Sequence, residues 1–268
     1  MKFSFVISLQ NTKFNAIALK ENLQQNLEKL KKLSYDGVEL AIRDPSTVNI
    51  DEMNALLNKN NFTVCAIGTG QAFVEDGLSL THPDPNIRAY AINRIKKFIN
   101  LASNIMGKPK IIIGLIRGMK KTNVNAENYF YKSMQDILLE AEKYKIDILI
   151  EPINRYETDF INNIHEALIF IRKLNHPRLL LLADTFHMNI EEPNVWQSLE
   201  ICKEKLGHIH VADTNRWAPG YGHFEWDIFS QTLKKISYSG WISGEMLPKP
   251  SEDEAISHTI TLLRSLFS

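Results

Sequence analysis

Residues 147–184, DILIEPINRYETDFINNIHEALIFIRKLNHPRLLLLAD, contain two short apolar runs with an amphipathic segment between them. The runs lie within 147–151 and 179–184, and each stays apolar until it closes on a carboxylate. Such runs are typical of strands that are buried on both faces of a parallel sheet. In the segment 164–174, apolar residues recur at intervals of three and four, which indicates a helix. The stretch therefore predicts a strand–helix–strand unit.

The same unit recurs along the whole chain. Candidate strands are 3–8, 37–41, 63–67, 110–113, 147–151, 179–184, 208–211 and 241–244, and helical patterns between them include 20–33, 86–104, 126–144 and 164–174. Eight such units in 268 residues predict an α/β fold, a single-domain (β/α)₈ TIM barrel over residues 1–268. The alternative is a doubly wound open sheet. It is disfavoured because the first strand leads into SLQNTKF, residues 8–14, which has no GxGxxG turn.

Bulk composition argues against several classes of protein. Lys+Arg and Asp+Glu both number 31, and this neutral balance disfavours a nucleic-acid binder. The chain has no apolar run near the roughly 18 residues of a membrane span, and residues 1–10 lack the features of a signal peptide. We therefore expect a cytoplasmic protein with no membrane partner. The two cysteines, Cys65 and Cys202, are expected to be buried, reduced thiols.

Polar residues close several of the apolar runs. Glu39 lies in the second run, in GVELAIRD (37–44), and Glu151, Asp184, His210 and Glu245 close strands five to eight. The carboxyl ends of barrel strands meet at one face, so we expect the last four to converge. Three carboxylates and an imidazole suit Mn²⁺, Mg²⁺, Co²⁺ or Zn²⁺, and burying the carboxylates without a cation would be very costly. The sequence therefore predicts that these four residues bind a divalent metal.

A second group of polar residues lies close to these strand ends. Glu157, His187 and Arg216 each follow a predicted ligand by three to six residues. Arg216 is a donor fork suited to a carboxylate or to vicinal oxygens. We expect Asp213 and His208 to support the metal site rather than to bind the metal.

Longer motifs resemble a known group of enzymes. The stretches EPINRYE (151–157), DTFHMNIEE (184–192), HVADTNR (210–216) and SGE (243–245) resemble the sugar-phosphate isomerase/epimerase superfamily of xylose isomerase-like barrels, and in particular the tagatose and psicose 3-epimerases. A closer resemblance is to the 5-keto-L-gluconate epimerases of inositol catabolism in thermophilic bacteria. It is carried by AIRDPS (41–46), AIGTGQAF (66–73), DGLSLTHP (76–83), NRYETDFIN (154–162) and NRWAPGYGHF (215–224).

The resemblance implies a reaction and a division of roles. It implies an epimerase that interconverts 5-keto-L-gluconate and D-tagaturonate by moving a proton beside the ketone, through a cis-enediolate that a metal stabilises. Manganese is the metal that the resemblance favours. Glu151 and Glu245 match the acid/base pair, and Glu157, His187 and Arg216 match positions that hold the substrate.

A keto-uronate carries a carboxylate that a neutral ketohexose lacks, so a cation is expected to bind it. Arg117 in GLIRG (114–118), Arg155 and Arg43 are the candidates. Because Arg117 closes the fourth predicted strand, we expect it to bind the carboxylate.

Other functions remain open from the sequence. A ketose 3-epimerase or an aldose–ketose isomerase would use the same enediolate chemistry. An endonuclease IV-like nuclease shares the fold but needs three clustered metals and a DNA-binding face, which the neutral charge disfavours. A non-catalytic barrel protein would be expected to have lost at least one of the four ligands. The expected partner is a small keto sugar or keto-uronate, and a homo-oligomer remains open.

Overall fold

The computed structural model describes residues 1–121 and 123–268. In this part of the chain there are nine strands, and all of their pairings are parallel. They are β1 (Lys2–Ser8), β2 (Leu19–Lys20), β3 (Val38–Ala41), β4 (Val64–Gly68), β5 (Lys110–Ile113), β6 (Ile148–Ile150), β7 (Leu179–Asp184), β8 (Leu206–Val211) and β9 (Trp241–Gly244).

Eight of these strands form a closed barrel. The order is β1-β3-β4-β5-β6-β7-β8-β9, and β9 pairs back onto β1 with Phe3 opposite Ile242. The two-residue strand β2 is an addition that pairs with the end of β1. The predicted (β/α)₈ barrel is therefore confirmed, and the four strands expected to carry the metal ligands are neighbours, β6 to β9.

Helices cover the outside of the barrel. They are α1 (Leu23–Lys32), α2 (Ile50–Asn60), α3 (Gly70–Val74), α4 (Pro85–Asn104), α5 (Ala126–Tyr144), α6 (Ile164–Leu174), α7 (Thr185–Glu191), α8 (Val195–Cys202), α9 (Trp226–Lys235) and α10 (Glu252–Phe267), with short 3₁₀ helices at Pro45–Thr47 and Leu115–Arg117. Within the described ranges, none of the helices has both the length and the apolar character that crossing a membrane requires.

Helix α6 shows how the sequence sets such an element. The Asn163 side chain accepts a hydrogen bond from the backbone N–H of Glu166 and so caps the first turn. Asn175 adopts the left-handed conformation that ends the helix. Between them, Ile164 and Ile171 are buried against the barrel, which explains the apolar period read from the sequence.

The first predicted helix, 20–33, begins later than its pattern indicates. Leu19 and Lys20 pair with β1 as strand β2, so they are extended. Glu21 and Asn22 then have positive φ angles of 56° and 39°, which break the chain direction before α1 begins.

The barrel interior positions the candidate ligands. Leu149 and Leu182 belong to an apolar cluster that fills the interior. Side chains two residues apart on a strand point to the same side. Glu151 therefore stands above Leu149, and Asp184 stands above Leu182, at the carboxyl-end mouth of the barrel. The thiols of Cys65 and Cys202 are buried and unbridged, as predicted.

Candidate metal centre and active site

Four strands bring the predicted metal ligands together. Asp184 is the last residue of β7 and His210 lies in β8. The two residues are paired in register across these neighbouring strands. Glu151 and Glu245 come one residue after β6 and β9, yet their backbone N–H groups still bond the neighbouring strands, to Ile113 and Val211. All four side chains are thus held by barrel backbone. One ligand atom from each lies within 4.8 Å of the others.

The spacing around His210 suits a shared ion. Its Nδ1 lies 3.4 Å from Glu245 Oε2, 3.6 Å from Glu151 Oε1 and 3.8 Å from Asp184 Oδ2. These separations are longer than ordinary hydrogen bonds. Two ligands at about 2.1 Å from one ion are roughly 3–4 Å apart. Among the described residues, His210 Nδ1 and Asp184 Oδ2 are buried without a hydrogen-bond partner. The donor set therefore fits a divalent metal.

Asp184 divides its carboxylate between two tasks. Its Oδ1 accepts hydrogen bonds from the backbone N–H groups of Phe186 and His187 and so caps α7. Its Oδ2 is left free to face His210. The same residue therefore offers a ligand atom and fixes the start of the helix that carries His187.

Glu39 orients the imidazole from below. The Nε2–H of His210 donates to Glu39 Oε1 at 2.9 Å, and His208 Nε2–H donates to Glu39 Oε2 at 2.8 Å. Burial would raise the pKa of Glu39, but the two imidazoles overcome it and hold the pKa well below its usual value. An ionised Glu39 keeps the proton of His210 on Nε2 and directs Nδ1 at the other carboxylates. Carboxylate–histidine pairs of this kind commonly support metal ligands.

The pKa shifts of Asp184, Glu151 and His210 indicate that the negative charge buried in this cluster favours a bound cation. Burial raises the pKa of Asp184 to about 7, and it also raises the pKa of Glu151. Burial would lower the pKa of His210, but the carboxylates of Glu39 and Glu245 overcome it and raise that pKa well above its usual value. A divalent ion would compete with protons for these same lone pairs.

A second buried group, formed by Glu39, Cys65 and His208, also has ligand atoms within 4.8 Å of one another. It fits a metal less well. Both carboxylate oxygens of Glu39 already accept from imidazoles. Burial raises the pKa of the Cys65 thiol, which works against the thiolate that a metal needs.

The predicted substrate residues form a connected chain beside the ligands. Arg216 Nη1 donates to Glu157 Oε1 at 2.8 Å, and Asn154 Nδ2 donates to the same oxygen at 2.9 Å. Asn154 Nδ2 also lies 2.8 Å from His187 Nδ1. Since that amide nitrogen only donates, His187 accepts at Nδ1 and carries its proton on Nε2. Burial lowers the pKa of His187 well below its usual value, so the ring is neutral.

The Arg216 guanidinium has an N–H donor that is not used by any of the described residues. Its guanidinium lies 4.7 Å from the ring centre of Phe186 and 5.4 Å from that of Phe14. Its Nε is buried and lacks a hydrogen-bond partner within residues 1–121 and 123–268. The backbone around it is fixed by Asp213, whose carboxylate accepts from three backbone N–H groups of the 214–224 loop and from the Trp226 indole.

Arg117 does not occupy the predicted position, and its assignment as the carboxylate-binding residue is wrong. Its side chain is fully buried, and its guanidinium donates to the backbone carbonyls of Gly114, Glu151, Phe160 and Ile161. The chain turns into the 3₁₀ helix Leu115–Arg117 directly after β5, which points this side chain into the protein. Backbone carbonyls take four of its five N–H donors, and Arg117 is absent from the described lining of the cavity, so it fixes the loop after β6 and does not face the substrate.

The mouth of the barrel is a cavity that is open to solvent, and its empty space, which includes solvent, is about 580 Å³. We call its β6–β9 side the charged half; this consists of Glu151, Glu157, Asp184, His187, His210, Arg216 and Glu245. We call the opposite wall the neutral half; besides Glu39, whose carboxylate accepts from His208 and His210, this consists of Phe14, Ile17, Ala41, Gly68, Thr69, Gly70, Gln71, Val74, Ile112, Gly114 and Leu115. Arg216 is the one Arg or Lys among the described residues that line the cavity.

The sequence did not predict the roles of several of these residues. Glu39 was noticed as a polar strand end, but its pairing with His210 spans 171 residues and leaves no local signal. Asn154 sits inside the quoted motif 151–157 and could have been found there as the partner of Glu157. Phe14 lies in a loop and Gln71 in the short helix α3, and the sequence pattern did not indicate that either residue lines the site.

Comparison with known proteins agrees with this architecture. The family model described as the xylose isomerase-like TIM barrel matches residues 27–266. A D-psicose 3-epimerase from Ruminiclostridium cellulolyticum is 28% identical over 222 residues, which cover 80% of this chain and 74% of that protein. An L-ribulose 3-epimerase from a Methylomonas species is 29% identical over 241 residues, covering 88% of this chain and 82% of that protein.

A solved structure is similar over almost the full length. The apo form of 3-keto-D-glucoside 4-epimerase from E. coli superposes with a TM-score of 0.82 at 21% identity, and covers 99% of both chains. At that identity the likeness shows the fold alone. Since the family model spans nearly the whole barrel, the chain belongs to the xylose isomerase-like TIM barrel family.

Proposed function

We propose that the protein is a divalent-metal-dependent epimerase of a keto sugar, an isomerase that acts on carbohydrates. The observation that carries this proposal is the meeting of Glu151, Asp184, His210 and Glu245 at the cavity mouth, with two glutamates in one ligand set. The named relatives are epimerases of keto sugars, which supports the same reaction class.

The four residues would hold the metal, and manganese is our first choice, ahead of magnesium, cobalt and zinc. When bound, the ion would act as a Lewis acid that makes the hydrogen beside the ketone easier to remove. Oxygen and imidazole donors suit all four metals, so the choice of manganese rests on the sequence resemblance.

Glu151 and Glu245 are the proposed proton carriers. They come from β6 and β9, the two ends of the run of ligand strands, so their carboxylates reach the cavity from different directions. Epimerisation needs a proton to leave one face of a carbon and another to arrive on the opposite face, and this requires two groups. One glutamate removes the proton while the other returns one.

Glu157, His187 and Arg216 are the proposed substrate holders. Glu157 would accept from a hydroxyl group, while the His187 Nε2–H and the uncommitted Arg216 Nε–H would donate to substrate oxygens. The hydrogen bonds that already join them through Asn154 fix their positions before the substrate arrives.

Our first candidate reaction is the interconversion of 5-keto-L-gluconate and D-tagaturonate. Five stretches of sequence between residues 41 and 224 support it through their resemblance to that epimerase family. With Arg117 unavailable, the substrate carboxylate would have to use Arg216, whose Nε lacks a partner among the described residues.

A neutral ketose is the second candidate, and the 3-epimerisation of D-tagatose or D-psicose is the expected reaction. The specific observation in its favour is the absence of Lys and Arg from the described lining of the neutral half. A carboxylate lying against that wall would have no countercharge.

A substrate panel in deuterium oxide tests the proposal. The manganese-loaded protein would be incubated with keto-uronates and with neutral ketohexoses, and the products would be read by NMR. We expect one deuterium at the epimerised carbon beside the ketone. Deuterium at carbon 1 would mark an aldose–ketose isomerase instead, and no exchange with any substrate would overturn the proposal.

A further inference from the structure

Gln71 is the feature of the neutral half that needs an explanation. It lies in α3, just after β4, across the barrel from the ligand strands β6 to β9. Its side chain lines the cavity, and the residue is only 3% exposed. A glutamine amide that is buried to this degree must satisfy both its donor and its acceptor, or lose stability.

The orientation of this amide is fixed by two hydrogen bonds. Gln71 Nε2 donates to Ser8 Oγ at 2.6 Å, and Ser8 Oγ in turn donates to the carbonyl of Gln10 at 2.5 Å. A serine hydroxyl has a single hydrogen, and that of Ser8 is committed to the carbonyl. Ser8 can therefore only accept from Gln71, which keeps the nitrogen of the amide towards Ser8.

The amide oxygen of Gln71 has no hydrogen-bond donor among the described residues. Gln71 Oε1 is buried, and it has no hydrogen-bond partner anywhere in the described ranges 1–121 and 123–268. Thr69, the hydroxyl residue of the same wall, donates its hydrogen to the Ile112 carbonyl at 2.6 Å. The neutral half thus presents an acceptor without a donor from the protein.

We propose that Gln71 determines substrate specificity by accepting, at Oε1, a hydrogen bond from a substrate hydroxyl beyond the carbons that exchange the proton. The inference rests on the proposed function. An amide oxygen only accepts, and an ionised carboxylate has no hydrogen to offer it. This wall therefore selects a hydroxyl over a carboxylate at the position that faces Gln71.

Deoxy substrates test this contact directly. The parent would be the keto sugar with the highest turnover, and each analogue would lack one hydroxyl beyond the reacting carbons. For the wild type, we expect kcat/KM to fall about tenfold on one analogue, as for the loss of one hydrogen bond. For Gln71→Leu, we expect a similar fall on the parent and no further fall on that same analogue.

Two other variants make the test specific. Gln135→Leu makes the same change at an exposed glutamine of α5 outside the described cavity lining, and the ratio of kcat/KM between parent and analogue should match the wild type. Ser8→Ala keeps Gln71 but leaves its amide free to rotate. In this variant, kcat/KM on the parent should exceed kcat/KM on the analogue by a smaller factor than in the wild type. Ser8→Ala carries the test if Gln71→Leu fails to fold.

The outcomes separate the inference from the function on which it rests. If Gln71→Leu lowers kcat/KM by one common factor on the parent and every analogue, or does not lower it at all, then Gln71 does not read a hydroxyl. A wild-type protein that exchanges no deuterium into any keto sugar would overturn the proposed function, together with this inference.

Discussion

In the charged half of the cavity, four neighbouring strands each deliver an ionisable side chain to one point, whereas the neutral half is built from glycines, apolar residues and two uncharged polar ones. Glu39, the one carboxylate among the described lining residues of that wall, accepts hydrogen bonds from His208 and His210. The same barrel therefore separates a region suited to proton transfer from a region suited to recognising the rest of the substrate.

This separation has a physical reason. Charges are stabilised by one another or by a metal, so they must be clustered if they are to be buried. Recognition of a sugar chain needs shape and a few neutral hydrogen bonds. Changes in the charged half should therefore affect the chemical step, while changes in the neutral half should affect the choice of substrate.

The largest expected effect follows from removing a proton carrier in the charged half. Glu245→Gln keeps an oxygen that can face the metal but cannot carry a proton, so kcat should fall by about 10³–10⁴ while manganese still binds. Steady-state kinetics and elemental analysis of the protein would measure both. Glu225→Gln, at an exposed glutamate, is the matched control. Full turnover by Glu245→Gln would reduce Glu245 to a ligand only.

The next largest effect is on stability, at the residue that ties the two halves together. Arg117→Met removes the buried donor to the carbonyls of Glu151 and Phe160 and one of the two donors to that of Ile161. Urea denaturation should therefore show a loss of about 3 kcal/mol in the free energy of unfolding. Arg264→Met, at a side chain that is half exposed and paired with Asp36, should cost about 1 kcal/mol or less.

The same Arg117 variant checks the corrected assignment. We expect any loss of kcat/KM to be equal on a keto-uronate and on a neutral ketohexose, since the guanidinium is out of reach of both. A loss confined to the keto-uronate would restore the role that the sequence predicted.

A steric change in the neutral half should disturb the charged half. A Cβ at Gly114 would lie 2.5 Å from Glu151 Oε2 and 3.3 Å from Ile153 Cδ1, so Gly114→Ala should displace the glutamate. Misplacement of a catalytic group by about 1 Å can cost about 10²-fold in rate, and we expect a fall in kcat of this order. Gly70→Ala has open space around its Cβ and should have a much smaller effect. Equal effects would contradict the close contact.

The smallest effect of the series concerns the carboxylate below the metal centre. Glu39→Gln weakens the acceptor that orients His210, so calorimetric titration should show manganese binding weakened by about 10–100-fold. Cys65→Ser, in the second buried group, should leave the affinity unchanged. An affinity that falls with Cys65→Ser and not with Glu39→Gln would move the metal to that second group.

The sequence predicted the barrel and the charged half well because both depend on local pattern. Glu151, Asp184, His210 and Glu245 each end or follow an apolar run, and strand order alone makes them neighbours. Glu157, His187 and Arg216 follow those ligands closely in the chain, so the structure also brings them to the cavity. Their roles in binding remain predictions.

The neutral half and the loops beside it were much harder to predict, because the directions of their side chains depend on contacts with distant segments of the chain. Arg117 follows a strand closely, as Glu151 does, but the 3₁₀ helix Leu115–Arg117 buries the arginine side chain. No pattern of residue types in the sequence predicts that helix. The acceptor at Gln71 exists because Ser8, 63 residues away, fixes its amide. Contacts between distant segments of this kind are visible only in the folded chain.

Anomalous diffraction from a crystal of the protein soaked in Mn²⁺ would locate the bound metal. We expect one strong peak in contact with Glu151, Asp184, Glu245 and the Nδ1 of His210, at the charged half of the cavity. The absence of a peak there, or a peak held by Cys65 and His208 instead, would contradict this assignment of the metal ligands.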